Sequence, residues 1–322
     1  MCHEVKLRAR YPGDDNFALR RKSFALEPRF RIFPGEPILP MASSAILEQP
    51  TAAPAKTVPT AAERFLFDTT GYLVLENFLK PDHIARLLAA LDRDVVRRRA
   101  KVAADPLEKR NTLINGAQST RLLYILEDDP LFLELVDWAP LMPYVHALIN
   151  PMPHYHASDA IVEVGSELMS RKGGWHIDGN DQGYRGFGWP IPLLQLKVGY
   201  YLTDMTQPGN ANLMVVPGSH KSRHVPSLPD LEAQHHWPGA VQVCAPAGSA
   251  ILFHNALFHT AAPYASPAHR RTMLYYAYEH PWMIGAQGHW NYSKDFYNHR
   301  LSPGQRKLFH GFVFDPPEQR WG

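Results

Sequence analysis

The apolar positions of this chain change their period along its length. Residues 1–60 hold scattered aromatics without a sustained repeat, and "MASSAILEQPTAAPAKTVPTAAE" is rich in Ala, Pro and Thr. Such a segment cannot bury enough surface to fold, so residues 1–60 are expected to be a flexible leader, with Met41 as an alternative start. The folded part is expected over 61–322, starting near "FLFDTTGYLVLENFL". "YLVLENF" reads as a strand after a Gly turn. Beyond Pro81, Ile84, Leu87, Leu88, Leu91 and Val95 recur at helical spacing. "PLFLELVDWAPLMPYVHALI" reads as a second helical stretch. After residue 155 the pattern becomes short apolar runs punctuated by Gly, Pro and Asn: "AIVEV", "LLQLKVGYYL", "NLMVVPG", "VQVCAP", "GSAILFHNALFH" and "RTMLYYAYE". Many short strands with turn punctuation predict a mainly β fold, a sandwich or barrel with flanking α-helices. "SPGQRKLFHGF" closes the chain as a short helix capped by Ser302.

Composition narrows the partners. The chain has 322 residues and a formal net charge of +2, which gives no field for nucleic acid. No apolar run approaches the roughly 18 residues of a membrane span, and "MCHEVKLRAR" has no secretory core. Acidic residues in the leader argue against a mitochondrial presequence. Cys2 and Cys244 are too few and too far apart for a disulfide framework, so a reducing, cytoplasmic setting is expected. A small molecule is the expected partner.

The chemistry concentrates in "GGWHIDGN", residues 173–180. On a strand, His176 and Asp178 face the same side and aim at one point. Alone the triplet is weak; a metal site needs a third ligand from another strand. His254 and His259, both in "GSAILFHNALFH", are the candidates. Two His and one carboxylate with open positions form the facial triad of non-heme Fe(II) oxygenases. Other residues admit plainer roles. Lys197 lies in an apolar run, on the solvent face or against a ligand. His156 reads as a satisfied core His, His220 as a loop cap, and His235 and His236 as loop surface. "GNDQGYRGFGWP" is a candidate substrate-covering loop, and "RDVVRRRAK" a solvated basic helix face.

"WHID", "LLQLKVGYYLTD", "NLMVVPGSHK" and "GSAILFHNALFH" followed by an Arg resemble the phytanoyl-CoA dioxygenase family, over roughly residues 63 to 310. The resemblance implies a double-stranded β-helix, a jelly roll of cupin-like type. It implies Fe(II) held by His176, Asp178 and His259, with His254 as the rival for the third position. It implies 2-oxoglutarate as co-substrate with O2, yielding succinate and CO2 as the substrate is oxidised. The family's 2-oxoglutarate Arg matches Arg270; the adjacent Arg271 is then expected to face away. Lys197 is a further candidate contact. Thr260 would stand in for a hydroxyl that is missing at Ala261. Halogenating relatives have a small residue where this chain has Asp178, so hydroxylation or a related oxidation is the expected outcome. A non-catalytic binding protein of the same fold and a cupin-type metalloenzyme not using 2-oxoglutarate are the alternatives.

Overall fold

Helix α2 (Pro81–Lys101) shows why the first half of the chain folds as it does. Its buried positions, His83, Leu87, Ala90, Leu91, Asp94 and Arg98, recur every three or four residues, so one stripe faces the interior. The computed structural model describes residues 58–168, 174–179, 184–224, 237–283 and 292–309. They belong to one compact unit, Ala55–Gly322. The leader lies outside them except for its last three residues.

Helix α1 (Ala61–Thr70) opens on a capping box between Thr60 and Glu63 and ends at Gly71, which takes the left-handed conformation at φ 85°. Strand β1 (Tyr72–Leu75) follows, then α2 and α3 (Pro106–Asn111). Strands β2 (Thr112–Ile114), β3 (Thr120–Leu123) and β4 (His154–Val164) frame the short helices α4 (Pro130–Glu134) and α5 (Met142–Leu148). The single helical stretch expected over 130–149 is thus broken. Pro140 and Pro143 withhold amide donors there, and the chain turns between the two pieces. After α6 (Gly165–Leu168) come β5 (Gln195–Tyr201), β6 (Leu213–Val215), β7 (Val241–Gln242), β8 (Ala250–His254), β9 (His259–Ala261) and β10 (Arg270–Glu279). Helix α7 (Pro303–Leu308) is capped by Ser302 as expected.

The strands form two antiparallel sheets. The large one runs β1-β8-β5-β10-β4-β3-β2 and the small one β7-β6-β9, which His176 extends through a bridge to His259. This is the expected jelly roll. Leu196, Val198, Tyr200, Leu274, Tyr276 and Tyr278 point from the outer face of the large sheet into a core shared with the helices. The inner face carries Tyr201, Phe253 and Met273 against Leu213 and Val215 of the small sheet.

The basic face of α2 is not simply solvated. Arg98 is buried and donates to Glu108 at 2.6 Å, to Asp128 at 2.9 Å and to two backbone carbonyls. A buried guanidinium is tolerated because each of its three nitrogens donates a hydrogen bond. Arg97 pairs with Asp94 at 2.8 Å.

Candidate metal and co-substrate site

The "WHID" segment enters alongside β9. His176 and His259 exchange backbone hydrogen bonds at 3.0 Å in each direction, and Asp178 N–H donates to Asn255 O at 2.8 Å. These bonds fix the segment as an extra edge of the small sheet. His176 and Asp178 then share one face, towards His259. Suitable donor atoms of His176, Asp178 and His259 all lie within 4.8 Å of one another. His176 Nε2 stands 3.9 Å from Asp178 Oδ1, and His259 Nε2 stands 3.8 Å from Asp178 Oδ2.

Both rings are oriented from behind. His176 Nδ1 lies 2.7 Å from Gly174 O, and His259 Nδ1 lies 2.9 Å from Leu257 O. A carbonyl only accepts, so each Nδ1 carries the proton and each Nε2 presents its lone pair to the convergence point. Burial, then the neighbouring His176, pushes His259 down to about 4 against the opposing Asp178, so the ring is neutral. Burial acts to raise Asp178, but Lys197 and the two imidazoles outweigh it and hold the carboxyl below its ordinary value. Two imidazoles and an ionised carboxylate on one point fit a divalent first-row metal such as Fe(II). Gly174 supplies the carbonyl from φ 75°, a conformation that a side chain strains.

The triad lies on a cavity of about 170 Å³ that runs inward between the sheets. Lys197, Thr260, Phe253, Tyr275 and Arg271 line it. Lys197 Nζ is 3.8 Å from Asp178, so this Lys faces the site and not solvent. Arg271 is buried; it donates to Glu163 at 2.9 Å and to the Tyr275 hydroxyl at 3.2 Å.

Arg270 is a correction. Its side chain is half-exposed and pairs with Asp92 of α2, outside the cavity. The register decides this: Arg271 opposes Glu163, and Arg271, Met273 and Tyr275 alternate onto the inner face of β10. The outer face takes Leu274 and Tyr276. The sequence reading had the parity reversed. It also missed Arg121 and Asp159, which pair at 2.6 Å on the cavity wall. The only available signal was a charge in each of two strands whose pairing is non-local.

His254 does not join the triad. It ends β8, and a turn separates it from β9, so the two His are not on one strand. It stacks near His220, with ring centroids 4.9 Å apart, and lines a separate cavity. His220 Nε2 lies 3.2 Å from Asp68 O, which ties the loop to α1. His156 sits against Glu279. Part of the expected covering loop, residues 180–183, lies outside the described residues, as do His235 and His236; Tyr184–Phe187 forms a short 3-10 turn.

His254 gives an acid-stability prediction. Its Nδ1 accepts the Ala256 amide at 3.0 Å, and burial, then His220 and Lys221, pushes its pKa from 6.5 down to about 3. Between those values the unfolded chain takes up a proton that the folded chain does not. Its contribution is therefore fully present above pH 6.5 and declines as pH falls towards 3. At pH 5 this group alone is expected to destabilise the fold by about 2 kcal/mol. His254→Asn keeps an acceptor but does not titrate, so urea melts from neutral to mildly acidic pH should show a shallower decline. An unchanged slope would contradict this assignment.

Fold and site together define a double-stranded β-helix protein in which two His and one carboxylate converge on a cavity. The chain belongs to the phytanoyl-CoA dioxygenase (PhyH) family, whose model matches residues 67–272. It is similar to an ectoine dioxygenase of Sphingopyxis alaskensis, 28% identical over 167 residues. That match takes in 51% of this chain and 50% of the relative, so the chain spans about half the length of the curated relative it matches. Among solved structures, EctD from S. alaskensis with bound Fe aligns with TM-score 0.53 and 25% identity, over 68% of this chain and 76% of that one. HygX from Streptomyces hygroscopicus, with nickel, 2-oxoglutarate and hygromycin B bound, aligns with TM-score 0.53 over 69% and 88%; at 18% identity it speaks to the fold alone. No helix among the described residues is long and apolar enough to cross a membrane.

Proposed function

We propose that the chain is an Fe(II)- and 2-oxoglutarate-dependent dioxygenase that oxidises a small molecule in the cytoplasm. One observation carries the reading. His176, Asp178 and His259 converge within 4.8 Å at a cavity that also presents a buried guanidinium, Arg271. A ferrous site alone does not need that guanidinium; a dicarboxylate co-substrate does.

His176 Nε2, His259 Nε2 and an Asp178 oxygen would hold the metal. The bound iron and 2-oxoglutarate supply the activation of O2, with succinate and CO2 as co-products. Arg271 is the residue we assign to the far carboxylate of 2-oxoglutarate. A planar guanidinium offers parallel N–H groups to a carboxylate, and Glu163 and Tyr275 already fix its plane. Lys197 faces Asp178. With Asp178 holding a metal, its ammonium would be placed for the near carboxylate of the co-substrate. Thr260 stands on the same wall and can offer its hydroxyl. Phe253, edge-on to His259 with centroids 5.0 Å apart, excludes water from that side. Asp178 fills the third protein position, which favours hydroxylation or a related oxidation over halogenation.

EctD of S. alaskensis has been solved with 2-oxoglutarate and 5-hydroxyectoine, which supports a small-molecule substrate here as well. The reading is tested by titrating 2-oxoglutarate into the anaerobic Fe(II)-loaded chain by calorimetry. Saturable binding that needs the metal is expected. Metal binding without any 2-oxoglutarate binding would count against the proposal.

A further inference from the structure

On the side of the metal away from Arg271, the inner face of the large sheet carries a second polar cluster. The proposed chemistry does not use it. Glu279 ends β10, and the register sets it opposite Gln195 at the start of β5 and His154 at the start of β4. Alternation along β10 puts Glu279 on the face that carries Arg271 and Tyr275. A bulge in β4 falls at His156, the residue skipped between Ala157 and Tyr155 in the pairing with β10. It lets both histidines reach the carboxylate. Asn255 ties this row to the metal site. Its carbonyl accepts the Asp178 amide at 2.8 Å, and its side-chain oxygen accepts the Gln195 amide at 3.3 Å.

Glu279 is fully buried. One of its oxygens is 2.8 Å from His156 Nδ1 and accepts from Gln195 Nε2 at 3.4 Å. The other, Oε1, has no hydrogen-bond partner among the described residues; His154 Nε2 is 3.9 Å away. The Tyr184 hydroxyl is likewise buried without a hydrogen-bond partner among the described residues. Burial, then Glu279 and Asp178, raises the pKa of that phenol, so the hydroxyl lies within the influence of both carboxylates. The Tyr184 ring lies on Gly179, where an added Cβ would meet it at 2.0 Å. Tyr184 is itself buried, in a cluster with Trp175, Ile177 and Ile191.

Core packing does not call for a carboxylate here, and a buried carboxylate with an unfilled oxygen is costly unless a ligand completes it. We infer that Glu279 is a specificity-determining anchor for a cationic nitrogen of the substrate, an amine or guanidine, with the buried Tyr184 hydroxyl as a second polar contact. The inference rests on the oxygenase reading. If 2-oxoglutarate fills the cavity towards Arg271, the substrate takes the opposite side of the metal, where Glu279 lies.

The test uses the chain loaded with Ni(II) and 2-oxoglutarate. Glucosamine, n-butylamine and 1,4-diaminobutane are titrated by calorimetry, each against its fully N-acetylated, uncharged counterpart. At least one charged probe is expected to bind about 10-fold or more tightly than its acetylated form, as a charge-assisted bond requires. In Glu279→Gln the ratio should collapse to within about 3-fold while 2-oxoglutarate affinity stays unchanged. Tyr184→Phe removes only the hydroxyl and should weaken the charged probe while keeping the fold. It serves as the test should Glu279→Gln fail to fold. Absence of any binding by the charged probes, or no charge preference in the wild type, would overturn the inference. Retained preference in Glu279→Gln with a lowered melting temperature would assign Glu279 to the core as a partner of His156. The 2-oxoglutarate titration is run first. Failure there removes the oxygenase reading and this inference with it, whereas binding there without charge preference removes the anchor alone.

Discussion

Asp178→Ala and His259→Ala are each expected to lose Fe(II) retention by about 100-fold or more, and turnover with it. A first-row divalent ion held by two ligands instead of three loses both affinity and the facial geometry that leaves its open positions adjacent. The fold should survive the Asp178 change. The carboxylate's ion pair with Lys197 and its contacts with the two imidazoles are loose, at 3.8 or 3.9 Å, and the segment is held by backbone bonds. Metal analysis after desalting, alongside melting curves, separates ligand loss from unfolding. His254→Ala is the control. It removes a ring on a separate cavity and should keep its iron. Iron retained in both triad variants, with activity intact, would show that the metal lies elsewhere.

The second large effect is expected at Arg271. Truncating the cavity-facing guanidinium should raise the 2-oxoglutarate dissociation constant by about 30-fold or more, the equivalent of about 2 kcal/mol for a charge-assisted pair. Iron binding should change little, since Arg271 is not a ligand. Arg271→Ala also removes the ion-pair partner of the buried Glu163 carboxylate, which threatens folding. The double variant Arg271→Ala/Glu163→Gln removes that charge and is the cleaner test. Arg270→Ala breaks only an exposed pair with Asp92, which contributes about 0–1 kcal/mol, and should bind 2-oxoglutarate normally. Normal affinity in the Arg271 variants with loss in Arg270→Ala would return the role to Arg270.

That pair of neighbours shows where sequence reading stops. His176 and Asp178 are legible because both lie in one short segment, and an i, i+2 spacing fixes their common face. Arg270 and Arg271 differ by one residue on a strand that is buried on both faces, so "RTMLYYAYE" offers no apolar–polar alternation to set its parity. Only the pairing of β10 with β4 decides it, and that pairing joins segments distant in sequence. The same reason hides Arg121 and Asp159. His254 and His259 read as one strand because no Gly or Pro in "FHNALFH" marks a break, yet the chain turns after His254, where Leu257 N–H donates to its carbonyl at 2.9 Å. Arg98 looked solvated among its basic neighbours, because Glu108 and Asp128 reach it from outside α2. The mainly β class was legible in short strands between turn residues, which fit a sandwich or a barrel equally; the jelly roll was implied by the family resemblance.

The central claim is that one cavity brings Fe(II) and 2-oxoglutarate together for oxidative decarboxylation. It is tested most directly by supplying the Fe(II)-loaded chain with 2-oxoglutarate and isotopically labelled O2 and examining the succinate by mass spectrometry. The account predicts succinate carrying one labelled oxygen, formed in wild type and absent in Asp178→Ala. Iron bound at the triad with no succinate formed, under the same conditions and with substrate pools added, would contradict it and favour a metal centre that does not use 2-oxoglutarate.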